Sequence, residues 1–246
     1  TASRRTSSMR APYGLEMIEN CETCKLRKSN FFCQLSPHAM RSFDSLRSSS
    51  AYPEGAILFL ENQDVRGVFL LCEGAVKLTI SSADGKTLIL RIAQAGEMLG
   101  LTAALAGRPY EVSAETLRPC QIAFIRRNRF LDFLAEQPEV YEQITKQLSS
   151  NYQRACEQLR TVGLSLSAPA KLARLLLEWD AQAEERHDGR GIRLPLTHEE
   201  IGGLIGSSRE TVTRTLGEFR SRQLVTLKGS TLTIQNHAAL EDFVAI

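Results

Sequence analysis
The chain has 246 residues, of which 43% are apolar and 24% charged, and its formal net charge is +2. That composition excludes a chain disordered throughout, a fibrous repeat and a disulfide-dense miniature fold, and it leaves room for one large domain or two medium ones. A nearly neutral total says nothing about a partner, so any nucleic-acid signal must be local.

No apolar run nears the ~18–20 residues that span a bilayer, so no membrane association is expected. Thr1 to Gly14 has no apolar signal-peptide core. Residues 1–18 read as a Ser- and Arg-containing flexible tail, with Met9 a candidate start, and the expected compartment is the cytoplasm. The six cysteines are unevenly spread. Cys21, Cys24 and Cys33 crowd into residues 19–43, whereas Cys72, Cys120 and Cys156 are scattered. In a reducing compartment a Cys-x2-Cys followed by a third Cys reads as a metal or redox site rather than a disulfide framework.

From Ala51 to Phe130 short apolar runs alternate with turn signals. These include Pro53-Glu54-Gly55, Glu73-Gly74, Ala83-Asp84-Gly85, Ala95-Gly96-Glu97 and Ala106-Gly107. Spacings of about 8–12 residues are those of a sandwich, jelly roll or barrel, so residues 44–130 are expected to form a β-roll with no helix of useful length between the turns. Asp84-Gly85 is a hairpin signal.

After Pro138 the period changes. Val140, Ile144, Leu148, Tyr152, Leu159 and Val162 recur at mostly three- or four-residue intervals, and no Pro or Gly intervenes before Gly163. Such a stripe makes a long amphipathic helix. It can pack on its own domain or meet a second copy as a coiled-coil seam. The dimer seam is the reading adopted, with residues 131–163 as the dimerisation helix. Gly163 to Pro169 reads as a hinge. Leu172, Leu175, Leu176 and Trp179 mark a further helix ending near Gln182, before a polar loop to Gly191.

Residues 164–246 hold the most informative segment. Thr197 with Glu200 is a capping box that starts a helix. Ile201, Leu204 and Ile205 form its apolar face, and Gly206 closes it. Ser207 with Glu210 reads as a second capping box, and Val212, Leu216 and Phe219 line the buried face of the next helix. Two short helices joined by a tight Gly turn are a helix-turn-helix, with the second helix free for a major groove. Leu224 to Leu227 and Thr231 to Ile234 read as a hairpin wing. Ser208, Arg209, Glu210, Thr213 and Arg214 fall near the start of the second helix. Arg forks match guanine O6 and N7, and a carboxylate accepts from cytosine N4. Arg220, Arg222 and Lys228 suit phosphates.

This order of β-roll, long helix, hinge and winged helix-turn-helix resembles the cyclic-AMP receptor/fumarate-nitrate-reduction regulator (CRP/FNR) family of bacterial transcription factors. The likeness is most specific in Leu196 to Phe219 and in Gly55, Gly74, Gly85, Gly96 and Gly100. It implies an α+β chain with an N-terminal cyclic-nucleotide-binding-like β-roll (jelly roll), a long dimerisation helix and a C-terminal winged helix-turn-helix. It implies a homodimer on palindromic double-stranded DNA, with RNA polymerase as a partner. Arg209, Glu210 and Arg214 match the family positions that read TGTGA-like half-sites.

The resemblance also bears on the signal. Leu101 falls where the cyclic-AMP receptors carry their ribose-binding Glu, and Tyr110 to Val112 fall near their phosphate-binding Arg-Ser, so cyclic AMP is not the expected effector. A buried phosphate without a charged partner is costly. Cys21, Cys24 and Cys33 match the first three ligands of the [4Fe-4S] cluster of the FNR branch, and Cys120 aligns with the fourth. The expectation is a regulator that senses oxygen, nitric oxide or redox state through that cluster. Zinc on the same thiolates, a thiol–disulfide switch, or a small effector in the roll with no cofactor remain as alternatives. With no Walker loop, nucleophile elbow or His-Glu-x-x-His, no enzyme is expected.

Overall fold
Strands form where the turn signals delimit them. The computed structural model describes residues 12–22, 24, 34–163, 167–185, 192–193, 196–229 and 231–244. Cys33 and residues 1–11 lie outside the described residues. These fall into two compact units, one comprising residues up to Ser82 with Leu90–Arg154, the other Ala83–Ile89 with the residues from Ala155.

The first unit opens with a 3-10 turn, Pro12–Gly14, and helix α1, Pro37–Leu46. Its strands are β1 (Ser48–Tyr52), β2 (Ile57–Phe59), β3 (Gly67–Glu73), β4 (Ala75–Ser81), β5 (Thr87–Gln94), β6 (Met98–Leu99), β7 (Ser113–Thr116) and β8 (Cys120–Arg126). They make two four-stranded sheets, ordered β1-β8-β3-β6 and β2-β7-β4-β5. This is the expected β-roll.

Alternation along β3 divides the core in two, since successive side chains leave a strand on opposite faces. Phe69 and Leu71 join Phe59, Val76, Tyr110, Cys120 and Ile122 in one packed cluster. Val68, Leu70 and Cys72 join Met40, Phe43, Phe130 and Phe133 in the other. The first cluster fills the roll, and the second lies under the helices.

Three differences from the expected boundaries have local causes. A six-residue helix α2, Leu101–Ala106, does interrupt the roll. Gly100 and Gly107 bracket it with left-handed backbone (φ 75° and 65°), and the Gly107 N–H donates to Ala103 O. The expected dimerisation segment 131–163 is two helices, α3 (Arg127–Glu136) and α4 (Val140–Gly163). Pro138 disfavours helical backbone at the residue before it, and Gln137 takes φ −127° and ψ 74°. The expected flexible tail also ends before residue 18. The Gln121 carboxamide accepts the Ile18 N–H at 2.6 Å and donates to Ile18 O at 2.8 Å, and Leu15 is buried.

The second unit carries α5 (Ala168–Glu185), β9 (Ile192–Arg193), α6 (His198–Ile205), α7 (Arg209–Ser221), β10 (Val225–Lys228), β11 (Thr231–Ile234) and α8 (His237–Val244). Strands β10 and β11 pair as the expected hairpin, and β9 adds a third strand beside β11. Of the expected hinge, residues 164–166 lie outside the described residues.

Candidate nucleic-acid interface and cysteine site
Helix α6 begins as its sequence dictates. The Thr197 hydroxyl accepts the Glu200 N–H, and the Glu200 carboxylate accepts the Thr197 N–H at 2.9 Å. It ends at Gly206 with φ 63°, and the Ser207 N–H then reaches back to Gly202 O at 2.8 Å. That bond occupies Ser207, so the cap of α7 is Ser208, one residue later than expected. Its hydroxyl accepts the Thr211 N–H at 3.2 Å. A Cβ on Gly202 would stand 2.6 Å from Ser207 O, which is why the turn between the helices needs glycine there.

Val212, Leu216 and Phe219 are buried, as is Thr215, and they turn the opposite face of α7 outward. Ser208, Arg209, Glu210, Thr213, Arg214 and Arg220 are all exposed, as is Lys228 on the wing. The expected DNA-reading residues are therefore accessible on α7 and on the wing. Glu210 accepts from its own backbone N–H at the start of α7. That bond, the Ser208 hydroxyl and the neighbouring Arg209 hold its carboxyl below the usual carboxylate range. It is thus an ionised acceptor, which cytosine N4 requires. Thr213 differs from the rest. Its hydroxyl donates to Arg209 O at 2.9 Å and meets His198 Nδ1 at 2.8 Å. One hydroxyl proton cannot serve both, so the imidazole Nδ1 is the donor in that contact. The Thr213 methyl is what remains for a base. His198 is thereby tied to α7.

The helix stripe assigned to the dimer divides. Val140 and Ile144 are fully buried in their own chain against the cluster of Met40, Phe43 and Phe133, and Leu148 packs partly on it. Val140 and Ile144 therefore have no surface left for a second copy, which corrects their assignment. Tyr152 and Leu159 are 72% and 69% exposed, so the surface available for pairing lies further along α4. Val162 is half-buried.

The cysteines divide as well. Cys21 is buried in the outer cluster, and the Cys24 N–H points to Cys21 O at 3.4 Å, so the chain turns between them. Burial pushes the Cys21 thiol up to about 12, opposed by the Arg47 guanidinium, with the Asp44 carboxylate and Cys72 nearby. Cys120 lies elsewhere. It is fully buried in the cluster inside the roll, with Sγ 3.4 Å from Ala75 O and 3.1 Å from Arg118 O, and burial raises its pKa too. It stands across the sheet from Cys21. Cys21 and Cys120 thus belong to different packed clusters on opposite faces of the sheet, and Cys33 lies outside the described residues. Among the described residues, no three His, Cys, Asp or Glu side chains gather as a metal site.

The positions that the resemblance relates to cyclic AMP include two buried side chains, Leu101 and Tyr110. Tyr110 is buried, its ring stacked on Phe59 at 4.1 Å. Its hydroxyl donates to Gly67 O at 2.8 Å and accepts the Arg66 and Gly67 N–H groups at 3.2 Å. Leu101 is buried at the start of α2, and Arg108 is exposed. The Glu97 carboxylate, which bonds Arg91, accepts from Arg154 of α4 at 3.1 Å and from the Gln94 N–H at 3.1 Å.

A roll followed by a long helix and a winged helix-turn-helix with an exposed basic recognition face defines a DNA-binding regulator with a sensory domain. Residues 50–137 match the family described as Cyclic nucleotide-binding domain, and residues 170–243 match the Crp-like helix-turn-helix domain. The chain belongs to the CRP/FNR family of transcription regulators. Members of that family bind DNA and act as dimers, and they are regulators, not enzymes. A CRP-like cAMP-activated global transcriptional regulator of Mycobacterium tuberculosis is 26% identical over 217 residues, which is 87% of this chain and 96% of that protein. The fold is similar to that of the c-di-GMP responsive global regulator CLP of Xanthomonas campestris, with TM-score 0.71, 20% identity and coverage of 82% of this chain and all of that one. It is similar also to FixK2 of Bradyrhizobium japonicum, with TM-score 0.68, 19% identity and coverage of 81% and 98%. Among the described residues no helix is long and apolar enough to cross a membrane.

Proposed function
We propose that this chain is a cytoplasmic homodimeric regulator that reads palindromic DNA with TGTGA-like half-sites, engages RNA polymerase there, and is governed by its N-terminal cysteines. The DNA part is supported by the shared exposure of Arg209, Glu210 and Arg214 on one face of α7. Two Arg forks and an ionised carboxylate are the chemistry of guanine and cytosine edges.

The observation that carries the sensory part is that Cys21 packs in the same cluster as Val140 and Ile144, the first apolar residues of α4. A change at Cys21 therefore acts directly on the base of the long helix. The favoured occupant of Cys21, Cys24 and Cys33 is an iron–sulfur cluster of the [4Fe-4S] type, responsive to oxygen, nitric oxide or redox state. Thiolates favour such clusters, and the Cys21–Cys24 turn brings two of them together. Cyclic AMP is disfavoured, because Leu101 and the buried Tyr110 stand where the cyclic-AMP receptors carry polar partners.

The test is iron, acid-labile sulfide and visible absorption on protein purified without oxygen, followed by operator binding before and after air. Iron and sulfide in step, bleaching in air and an altered operator affinity are the expected results. A protein that stays colourless after anaerobic reconstitution overturns the cluster. Zinc content and thiol titration then separate a structural metal from a thiol–disulfide switch, and a ligand-dependent melting shift identifies an effector of the roll.

A further inference from the structure
A short chain of hydrogen bonds between α6 and α7 fixes one side chain of the reading helix. The Thr213 hydroxyl donates to Arg209 O, one turn back, at 2.9 Å, and His198 Nδ1 donates to the same hydroxyl oxygen at 2.8 Å. A threonine in a helix divides between two side-chain settings. The bond from His198 on the neighbouring helix is made in only one of them, so it selects the setting seen here.

The frame around this contact is held at both ends. His198 is the first residue of α6, and the reciprocal bonds of Thr197 and Glu200, at 3.2 and 2.9 Å, fix that first turn. The turn to α7 is closed by the Ser207 N–H on Gly202 O, and Val212, Thr215 and Leu216 bury the inner side of α7. Thr213 is exposed, as are Arg209, Glu210 and Arg214. Residues three and four apart are neighbours on a helix, so Thr213 lies beside Arg209 and Glu210. With its hydroxyl engaged twice, what Thr213 offers to a base is its methyl. The apolar group that a major groove presents in return is the C5 methyl of thymine.

We propose that Thr213 reads a thymine through its methyl, and that His198 is the positioning residue that holds it in that setting. The proposal rests on the reading of α7 as the DNA-reading helix. It adds an apolar contact to those of the two arginines and the carboxylate, and it assigns part of the base preference to a residue of the other helix.

The experiment uses the full chain and an operator duplex selected by it from a random-sequence pool, in which the thymines of one half-site are replaced one at a time by uracil. Uracil keeps every hydrogen-bonding group of thymine and lacks only the methyl. One such replacement is expected to weaken binding of the parent about four-fold, the effect of removing one buried methyl. Thr213→Ser keeps the hydroxyl without the methyl, so it should bind the thymine and uracil duplexes equally. His198→Ala should remove most of the difference, and His198→Asn, which puts an N–H donor back near the place of Nδ1, should restore it. Melting transitions check each fold, and the ratio of the two affinities does not change with the fraction folded. The parent's ratio in His198→Ala overturns the positioning role, and the parent's ratio in Thr213→Ser overturns the methyl contact. A parent that prefers its operator to a scrambled duplex but shows no uracil effect overturns the proposal while leaving the reading of α7 intact. A parent that selects no sequence overturns that reading, and the proposal with it.

Discussion
The Gln147 carboxamide grips the Met98 peptide from both sides. Its Nε2 donates to Met98 O at 2.6 Å, and its Oε1 accepts the Met98 N–H at 3.0 Å. Gln147 is only 4% exposed, so an inward-facing polar residue of α4 completes the hydrogen bonding of the short strand β6. Orphaned buried backbone groups cost about 1–3 kcal/mol each. Gln147→Leu is therefore expected to lower unfolding stability by at least about 2 kcal/mol, read from denaturant midpoints, although leucine is the more apolar residue.

On the DNA side, Arg209→Ala and Arg214→Ala should each weaken operator binding by about 1–3 kcal/mol and leave non-specific binding nearly unchanged. Lys228→Ala should weaken both alike and flatten the salt dependence, as a phosphate contact does. Fluorescence anisotropy with operator and scrambled duplexes at several salt concentrations separates the two. Equal operator affinity for all three variants and the parent would remove α7 as the reading helix.

The glycines of the helix-turn-helix should respond in opposite directions. A Cβ at Gly217 meets nothing within 4 Å, so Gly217→Ala is expected to stabilise α7 by about 0.5–1 kcal/mol. Gly202→Ala would press on the backbone at Ser207 and should lower the melting temperature of this unit. Calorimetry of the two variants checks both signs.

Along α4, Leu159→Asp should give a folded monomer by sedimentation, with far-ultraviolet dichroism unchanged. Ile144→Ala should instead destabilise the fold by about 2–5 kcal/mol, because it empties a packed site within the chain. A dimer that survives Leu159→Asp would place the seam elsewhere.

Much of the fold was legible because its signals are local. The Thr197 capping box, the left-handed Gly206 and the wing hairpin each depend on neighbours in the chain. The errors fall where distant packing decides. Val140 and Tyr152 belong to the same apolar stripe, and no periodicity says which turn of a helix meets its own roll and which meets a partner. That Cys120 and Cys21 occupy opposite faces of the sheet was not legible either. Cys120, Gln121, Ile122, Ala123 and Ile125 are all buried, so β8 lacks the polar alternation that would reveal which side each residue takes. A register shift between Leu71 and Glu73 further obscures how β3 aligns with it. Ser208 displaced Ser207 as the cap because closing α6 uses one more residue than a capping-box pattern counts.

The stacked rings of Phe59 and Tyr110 have a mechanical meaning. An interior filled by aromatic side chains, with the tyrosine hydroxyl bound to the Gly67 peptide, is stiff and hard to compress. A push delivered to one side of such a body is not absorbed inside it. Displacement at the outer face passes on to whatever is fastened to the roll, and through Gln147 and Arg154 that is α4. The roll and α4 up to Arg154 are therefore held to move as one body.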